Sequence, residues 1–373
     1  MAQQGRFLAL DVFRGMTICF MIIVNSPGSW RHLYAPLEHA PWHGFTPTDL
    51  VFPSFLFAVG NAMAFVMQKY ASQGSAAFWK KTLKRSFLIF FIGFMMYWFP
   101  FVEKVDGSWI MSPLSETRIP GVLQRIALCY LCASVVLYYG SKQFVYFFSV
   151  LALVGYWILM YAFGDPNDPY SLAGNAALKL DLIVFGENHL YHGEGIAFDP
   201  EGLLSTLPAI VNVIIGYLTG QFIRRHGNSY ESVARLMLAA GALIFVAMAW
   251  DMVFPFNKKI WTSSFVLLTS GINIAMIAAL IYAIEIAKFK KGTYFFVVFG
   301  RNPLFIYITA SILLQLIFMI RVGDTSFYGW MYNSFFGSFA GPTLASLLTA
   351  VWWMLMNWLI GYALDKKGIY VKV

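Results

Sequence analysis

Apolar runs long enough to span roughly 30 Å of hydrocarbon recur along this chain, with polar punctuation between them. They lie near 7–27, 48–68, 84–102, 119–139 and 143–163, and again near 203–223, 233–254, 261–287, 293–320 and 342–364. The pattern predicts about ten transmembrane α-helices, several of them interrupted by Pro, Gly or a charge. Helices are the expected form because hydrocarbon offers no water to free backbone groups, so each span must satisfy its own N–H and C=O groups. Two connecting segments are long, roughly 28–47 and 164–202, and loops of that length are usually functional. The second is acidic (Asp165, Asp168, Asp181, Glu187, Glu194, Asp199, Glu201) and carries its own apolar stretch around 178–185.

Composition supports this reading. Apolar residues make up 59% of the 373, charged residues 12%, and the mean hydropathy is +0.65. A soluble domain carries about a quarter charged residues and could not solvate its surface from half that supply. Phe (36), Tyr (20) and Trp (12) are abundant, as expected where rings fill helix contacts and sit at the headgroup level. No composition shift divides the chain, so 1–373 reads as a single all-α, polytopic membrane domain without a detectable internal repeat.

The net charge of +8 would suit a nucleic acid, but no basic stripe is interleaved with exposed aromatics. The Lys and Arg residues cluster between apolar runs, which is the signature of topology. With the N-terminus in the cytoplasm, sixteen fall on the cytoplasmic side, among them Arg6, Lys69, Lys142 and Lys372. Seven fall outside: Arg31, Lys104, Arg118, Lys179, Lys258, Lys259 and Arg321. Both termini are then cytoplasmic, which requires an even helix count. The first apolar run is broken by Asp11 and Arg14 and lacks a small-residue cleavage site, so it reads as a retained helix rather than a signal peptide. Cys129 and Cys132 form a C-x-x-C inside an apolar helix, where packing is the simplest role, and Cys19 is placed similarly.

Charges within spans are costly, so each is a functional candidate. Asp11 and Arg14 form an i,i+3 pair on one helix face. They read either as a mutually neutralising pair or as a cavity-facing anion site. Arg125 and Arg301 have no acid close in sequence, and a polyanion entering the bundle would account for them, because guanidinium binds phosphate through paired donors. The segment from Asn25 to Leu50 holds His32, His39 and His43. Pro41 between the last two disfavours the continuous helix that an i,i+4 metal site needs, and no H-E-x-x-H is present, so no metal site is expected. Thr46-Pro47-Thr48-Asp49 resembles a capping box opening the second helix, and Asn25 could end the first.

Six segments share one resemblance. LDVFRGMTICFMIIVN (10–25), EHAPWHGFTPTDLVFPSFLFAVG (38–60), RIPGVLQRIALCYL (118–131), FDPEGLLSTLPAIVNVIIG (198–216), NKKIWTSSF (257–265) and FGRNPLFIY (299–307) run in order along nearly the whole chain. Together they resemble the heparan-α-glucosaminide N-acetyltransferase family of transmembrane acyltransferases. The resemblance implies transfer of an acetyl group from cytoplasmic acetyl-CoA to the amine of a terminal glucosamine, or a related amino sugar, across the membrane. It puts the active-site histidine at His39, matches the family's Asn to Asn25 and its acid to Asp49, and carries no role to His43. Asp11, Arg14, Arg125, Arg301 and Asn302 become candidates for holding the coenzyme, and Glu201 for the acceptor side. The animal enzymes carry an additional N-terminal luminal region and helix, so the resemblance suggests a bacterial member in the inner membrane. It also suggests a homodimer.

An imidazole of ordinary pKa, about 6.5, is mostly neutral near pH 7 and can take the amine's proton, or attack the thioester and carry the acetyl group itself. Asp49 could orient that imidazole or only cap its helix. The expected partners are an amino-sugar or oligosaccharide acceptor and membrane lipid, with no nucleic acid. The competing reading is a secondary transporter for an anionic solute or glycan, which Asp11, Arg14, Asp251 and Glu285 would serve equally well.

Overall fold

The computed structural model describes residues 7–105 and 108–371. Arg6 and Lys372, and the side chains of Lys69 and Lys104, all counted among the loop charges, lie outside the described residues. The chain is almost entirely helical. The first helices are α1 (Leu8–Asn25), α2 (Val51–Ala71), α3 (Ser75–Trp98), α4 (Val122–Tyr139) and α5 (Lys142–Phe163). A short α6 (Ala176–Phe185) lies in the long acidic loop and contains the apolar stretch at 178–185. Next come α7 (Thr206–His226), α8 (Tyr230–Asp251) and α9 (Ser263–Leu280), the last continuing in wider turns to Ile286. The chain finishes with α10 (Thr293–Arg301), α11 (Pro303–Met319), α12 (Phe327–Trp330) and α13 (Pro342–Lys366). The strands are two small hairpins, Val102–Val105 with Ser108–Met111 and Arg321–Val322 with Thr325–Ser326.

Among the described residues, eight helices are long and apolar enough to cross a membrane, or nine if the α10–α11 pair counts as one span. The ninth apolar run, 293–320, is therefore not a straight span: its two halves bend by 84°. Pro303 has no N–H to donate and pushes the preceding residue out of the helical region. Asn302 accordingly sits at φ −128°, ψ 50°. The third run, 84–102, overlaps α3 as far as Trp98 and reaches the first hairpin at Val102; the early turns of α3 carry Lys80, Lys81, Lys84 and Arg85, more charge than an apolar span bears.

Close approach and buried polar contacts hold the bundle together, because lipid supplies no hydrophobic drive between helices. α2 packs most extensively on α7. A Cβ at Gly60 would fall 1.9 Å from the Val213 carbonyl oxygen, and one at Gly216 would fall 2.2 Å from that of Phe57, so only glycine lets these backbones touch. Asn212 on α7 is fully buried; it accepts from Trp261 Nε1 (3.0 Å) and donates to Ser270 Oγ on α9 (3.0 Å). Ser54 on α2 donates to Asn273 Oδ1 at 2.6 Å.

At one end, the first turn of α1 meets the end of α9 (Ala9 N–H to Glu285 Oε1, 3.2 Å), and Trp79 near the start of α3 donates to Tyr139 at the end of α4 (2.9 Å). The two long loops meet at the other end. There Gly28 N–H reaches the Ser346 carbonyl (3.1 Å), Gly44 N–H that of Phe256 (2.8 Å), and Ile119 N–H that of His189 (3.0 Å).

Candidate active site

The segment 28–47 closes with the sequence TPTD, which winds a short 3₁₀ turn, Pro47–Leu50, directly into α2. Thr46 sits extended before it and Pro47 takes the first helical position, where its missing N–H costs nothing. Asp49 Oδ2 accepts from the backbone N–H groups of Thr46 (3.0 Å) and Ala40 (3.1 Å) and from Thr46 Oγ1 (3.0 Å). Asp49 Oδ1 lies 2.7 Å from His39 Nδ1. A carboxylate can only accept, so Nδ1 carries the hydrogen and Nε2 keeps its lone pair. The carboxylate is buried, while the imidazole keeps 35% of its surface open.

A lysine from a distant loop completes the contact. Lys258 Nζ lies 3.1 Å from His39 Nε2 and 3.3 Å from Nδ1, nearly equidistant and so aligned on neither nitrogen alone. The loop between α8 and α9 is shaped by Asn257, whose N–H donates to Thr262 Oγ1 (3.1 Å) and whose Oδ1 accepts from Ile260 N–H (3.0 Å). Burial pulls the Lys258 ammonium below its ordinary pKa, against the opposing pull of Glu201 and Asp49. The neighbouring Lys259 staples the two long loops, reaching Glu194 Oε2 (2.5 Å) and the Pro41 carbonyl (2.9 Å).

His39, Lys258, Glu201, Asn25 and Tyr307 line one cavity of about 70 Å³, walled by Phe52, Phe55 and Val122 among others. Glu201 is held there by Arg118, whose Nη2 lies 2.6 Å from Glu201 Oε2 and which grips Asp199 through two contacts of 2.7 Å. The Arg118 guanidinium also stacks over Tyr97 (4.7 Å) and Tyr191 (4.9 Å). The two carboxylates outweigh its burial and hold the charge more firmly than in a free arginine.

Two further cavities follow the α1–α2 groove away from the histidine. The middle one, about 90 Å³, shares Phe55 with the histidine cavity and adds Thr17, Arg85 and Pro303. The outermost, about 340 Å³, shares Arg14, Ala58 and Ala62 with the middle one and is also lined by Phe7, Asp11 and Asn61. The series runs from the first turn of α1 to the end of the same helix at Asn25.

The sequence candidates thus fall into three groups. Asn25, His39 and Glu201 meet in one cavity, with Asp49 directly behind His39. Asp11 and Arg14, bonded to each other, border the far end of the series. Arg125, Arg301 and Asn302 line none of the three cavities. Arg125 is fully buried; it donates to the Gly202 carbonyl (2.9 Å) and Ser205 Oγ and stacks on Trp261 at 5.0 Å, bracing the turns that carry Glu201 and Lys258. Arg301 pairs with Asp365 at 2.5 Å, and Asn302 exchanges bonds with Ile369 and Val371, both 2.9 Å. Asp251 and Glu285 are likewise engaged by backbone N–H groups, of Phe256 (2.6 Å) and Ala9 (3.2 Å).

Residue-type reasoning passed over Lys258 and Tyr307. Both sit inside segments that carried the resemblance, NKKIWTSSF and FGRNPLFIY, but Lys258 was counted only as a loop charge. Among the described residues no group of three His, Cys, Asp or Glu is placed to hold a metal.

Residues 6–247 match the family model described as heparan-alpha-glucosaminide N-acetyltransferase, catalytic. The chain belongs to this family. The match contains Asn25, His39, Asp49, Arg118 and Glu201, while Lys258 and Tyr307 lie beyond it. The chain is 25% identical over its whole length to the Mus musculus heparan-alpha-glucosaminide N-acetyltransferase. It is 26% identical over 82% of its length to the Homo sapiens protein of the same name. It spans 61% of the first protein and 53% of the second.

Proposed function

We propose that this chain is a transmembrane acetyltransferase that passes the acetyl group of acetyl-CoA to the amine of a terminal glucosamine or related amino sugar. The observation that carries the reading is the His39–Asp49 pair at the loop end of a series of cavities running the length of α1. Family membership supports the same chemistry. In this reading the α3 helix and the bent α10–α11 pair join the eight apolar helices to make ten crossings. Both termini are then cytoplasmic, and His39 faces the periplasm of a bacterial inner membrane.

The coenzyme enters beside Arg14 and Arg85, whose charges suit its phosphates, and its pantetheine arm follows the groove past Phe55. The last cavity, about 70 Å³, is smaller than the roughly 150 Å³ that holds a benzene ring. It admits a two-carbon acyl group but not a sugar, so the acceptor comes from the loop side. As the amine attacks the thioester carbonyl, the C–N bond forms and the C–S bond breaks. His39 Nε2 takes the amine proton and returns it to the departing thiolate. Asn25 and the Lys258 ammonium stabilise the carbonyl oxygen while it carries negative charge, and Glu201 orients the acceptor. In a two-step variant the same Nε2 attacks first and carries the acetyl group.

The test uses proteoliposomes supplied with labelled acetyl-CoA and a panel of amino sugars. Release of free CoA with labelled amide product, lost in His39→Ala, is the expected result. Movement of a solute across the vesicle without CoA release would mean a transporter and would overturn the reading.

A further inference from the structure

A second, larger cavity lies apart from the histidine. It is a groove of about 680 Å³ walled by α5, α7, α8 and α9, and it shares no lining residue with the cavities along α1. Its flanks are α5 and α8, the least buried of the candidate spans at 28% and 22%. Leu153, Val211, Leu218, Leu243 and Leu267 are typical of its walls. The hydroxyls of Ser149 and Thr219 donate back to their own helices, to the Val145 and Ile215 carbonyls at 2.8 Å, so neither needs a donor partner from the groove.

Only one end is charged. Lys142 from the start of α5, Arg225 and His226 from the end of α7, and Arg235 from α8 converge at the mouth. Lys142, Arg225 and Arg235 are exposed there, and Glu231, itself exposed, lies 2.5 Å from Arg235. From Arg225 back to Val211, the wall of α7 runs about 20 Å at 1.5 Å per residue. One leaflet of a bilayer has about 15 Å of hydrocarbon. The groove is therefore cationic at one end and mostly apolar over a length comparable to one leaflet.

We propose that this groove is a binding site for an anionic glycerophospholipid of the leaflet at the Lys142 end, its phosphate among Lys142, Arg225 and Arg235 and its acyl chains along α7. Charge complementarity selects the occupant. A second copy of the chain docked symmetrically would set these cations against their own counterparts. The proposal rests on the membrane placement of the chain and not on acetyl transfer.

The full-length protein, purified in mild detergent, is equilibrated with equal amounts of phosphatidylglycerol and phosphatidylcholine, and retained lipid is read by native mass spectrometry. Preferential retention of phosphatidylglycerol is expected, weakened roughly fivefold for each of Lys142→Gln, Arg225→Gln and Arg235→Gln. Ala242→Trp, which fills the wall, should expel the lipid while leaving the charges in place. The melting temperature and size-exclusion profile of each variant report that the fold survives. Equal retention of the two lipids, displacement by inorganic phosphate, or unchanged selectivity when the three Gln substitutions are combined would overturn the proposal. A loss of dimer with unaltered lipid binding in Ala242→Trp would assign the groove to a second copy and overturn it equally.

Discussion

Asp49 divides its carboxylate between two tasks, giving Oδ1 to His39 Nδ1 at 2.7 Å and Oδ2 to the backbone N–H groups of Ala40 and Thr46. Orienting the imidazole and capping the helix are thus not alternatives. The cap fixes the carboxylate, and the fixed carboxylate sets the ring's tautomer.

The two tasks separate by substitution. In Asp49→Asn the amide oxygen can still accept from the backbone, but the charge facing Nδ1 is gone. Acetyl transfer should fall by about 10²–10⁴-fold, the usual worth of general acid–base catalysis, with little loss of thermal stability. Asp49→Ala should lose activity and also about 1 kcal/mol of stability through the missing cap. Initial rates of CoA release beside melting curves measure both; a fully active Asn variant would remove Asp49 from the mechanism.

Lys258 gives a pH signature. Burial lowers its pKa, so its ammonium is lost on the alkaline side earlier than an ordinary lysine's. The rate should decline as pH rises through that point. Lys258→Met should cost about 10²–10³-fold, as expected for a donor to a developing oxyanion. Lys258→Arg cannot deprotonate in this range and should abolish the alkaline decline even if its rate is lower. Parallel alkaline profiles for wild type and the Arg variant would show that another group is responsible.

Asp181 on α6 is completely buried, and burial raises its carboxyl pKa to about 7. In the unfolded chain the same group titrates near 3.9. The folded protein therefore holds a proton that the unfolded chain has released between these values, and stability falls as pH rises across that window. Asp181→Asn should flatten the dependence of the melting temperature on pH between about 4 and 8. An unchanged slope would exclude this carboxyl as its source.

Arg118 should prove structural as well as functional. Its removal leaves Asp199, with no exposed side-chain surface, as an uncompensated buried charge, a loss of about 3–5 kcal/mol. Arg118→Lys should not restore stability, because one ammonium cannot reproduce the two-point grip on Asp199 and the contact with Glu201 together. Thermal unfolding of the Gln and Lys variants checks this directly.

How far the sequence could be read depended on distance along the chain. Each apolar run lands on a helix, because hydropathy is a local property. The break at Asn302 was equally local, yet the apolar residues on both sides of Pro303 masked it within one long run. The capping role of Asp49 could be read from four consecutive residues, whereas its contact with His39 depends on the folded path of the segment between them. Arg125 and Arg301 looked unpaired because Gly202, Ser205 and Asp365 are more than sixty residues away. Lys258 meets His39 across 219 positions, and no local pattern announces such a contact.

The bend at Asn302 ties distant parts of the chain mechanically. Its side chain donates to the Ile369 carbonyl and accepts from the Val371 N–H, while the helix that begins at the next residue supplies Pro303 to the middle cavity and Tyr307 to the histidine cavity. A pull on residues 369–371 would therefore act on the helix that walls both cavities. An affinity handle or surface tether attached there would load the passage itself, so immobilisation through another site is the safer design for single-molecule work.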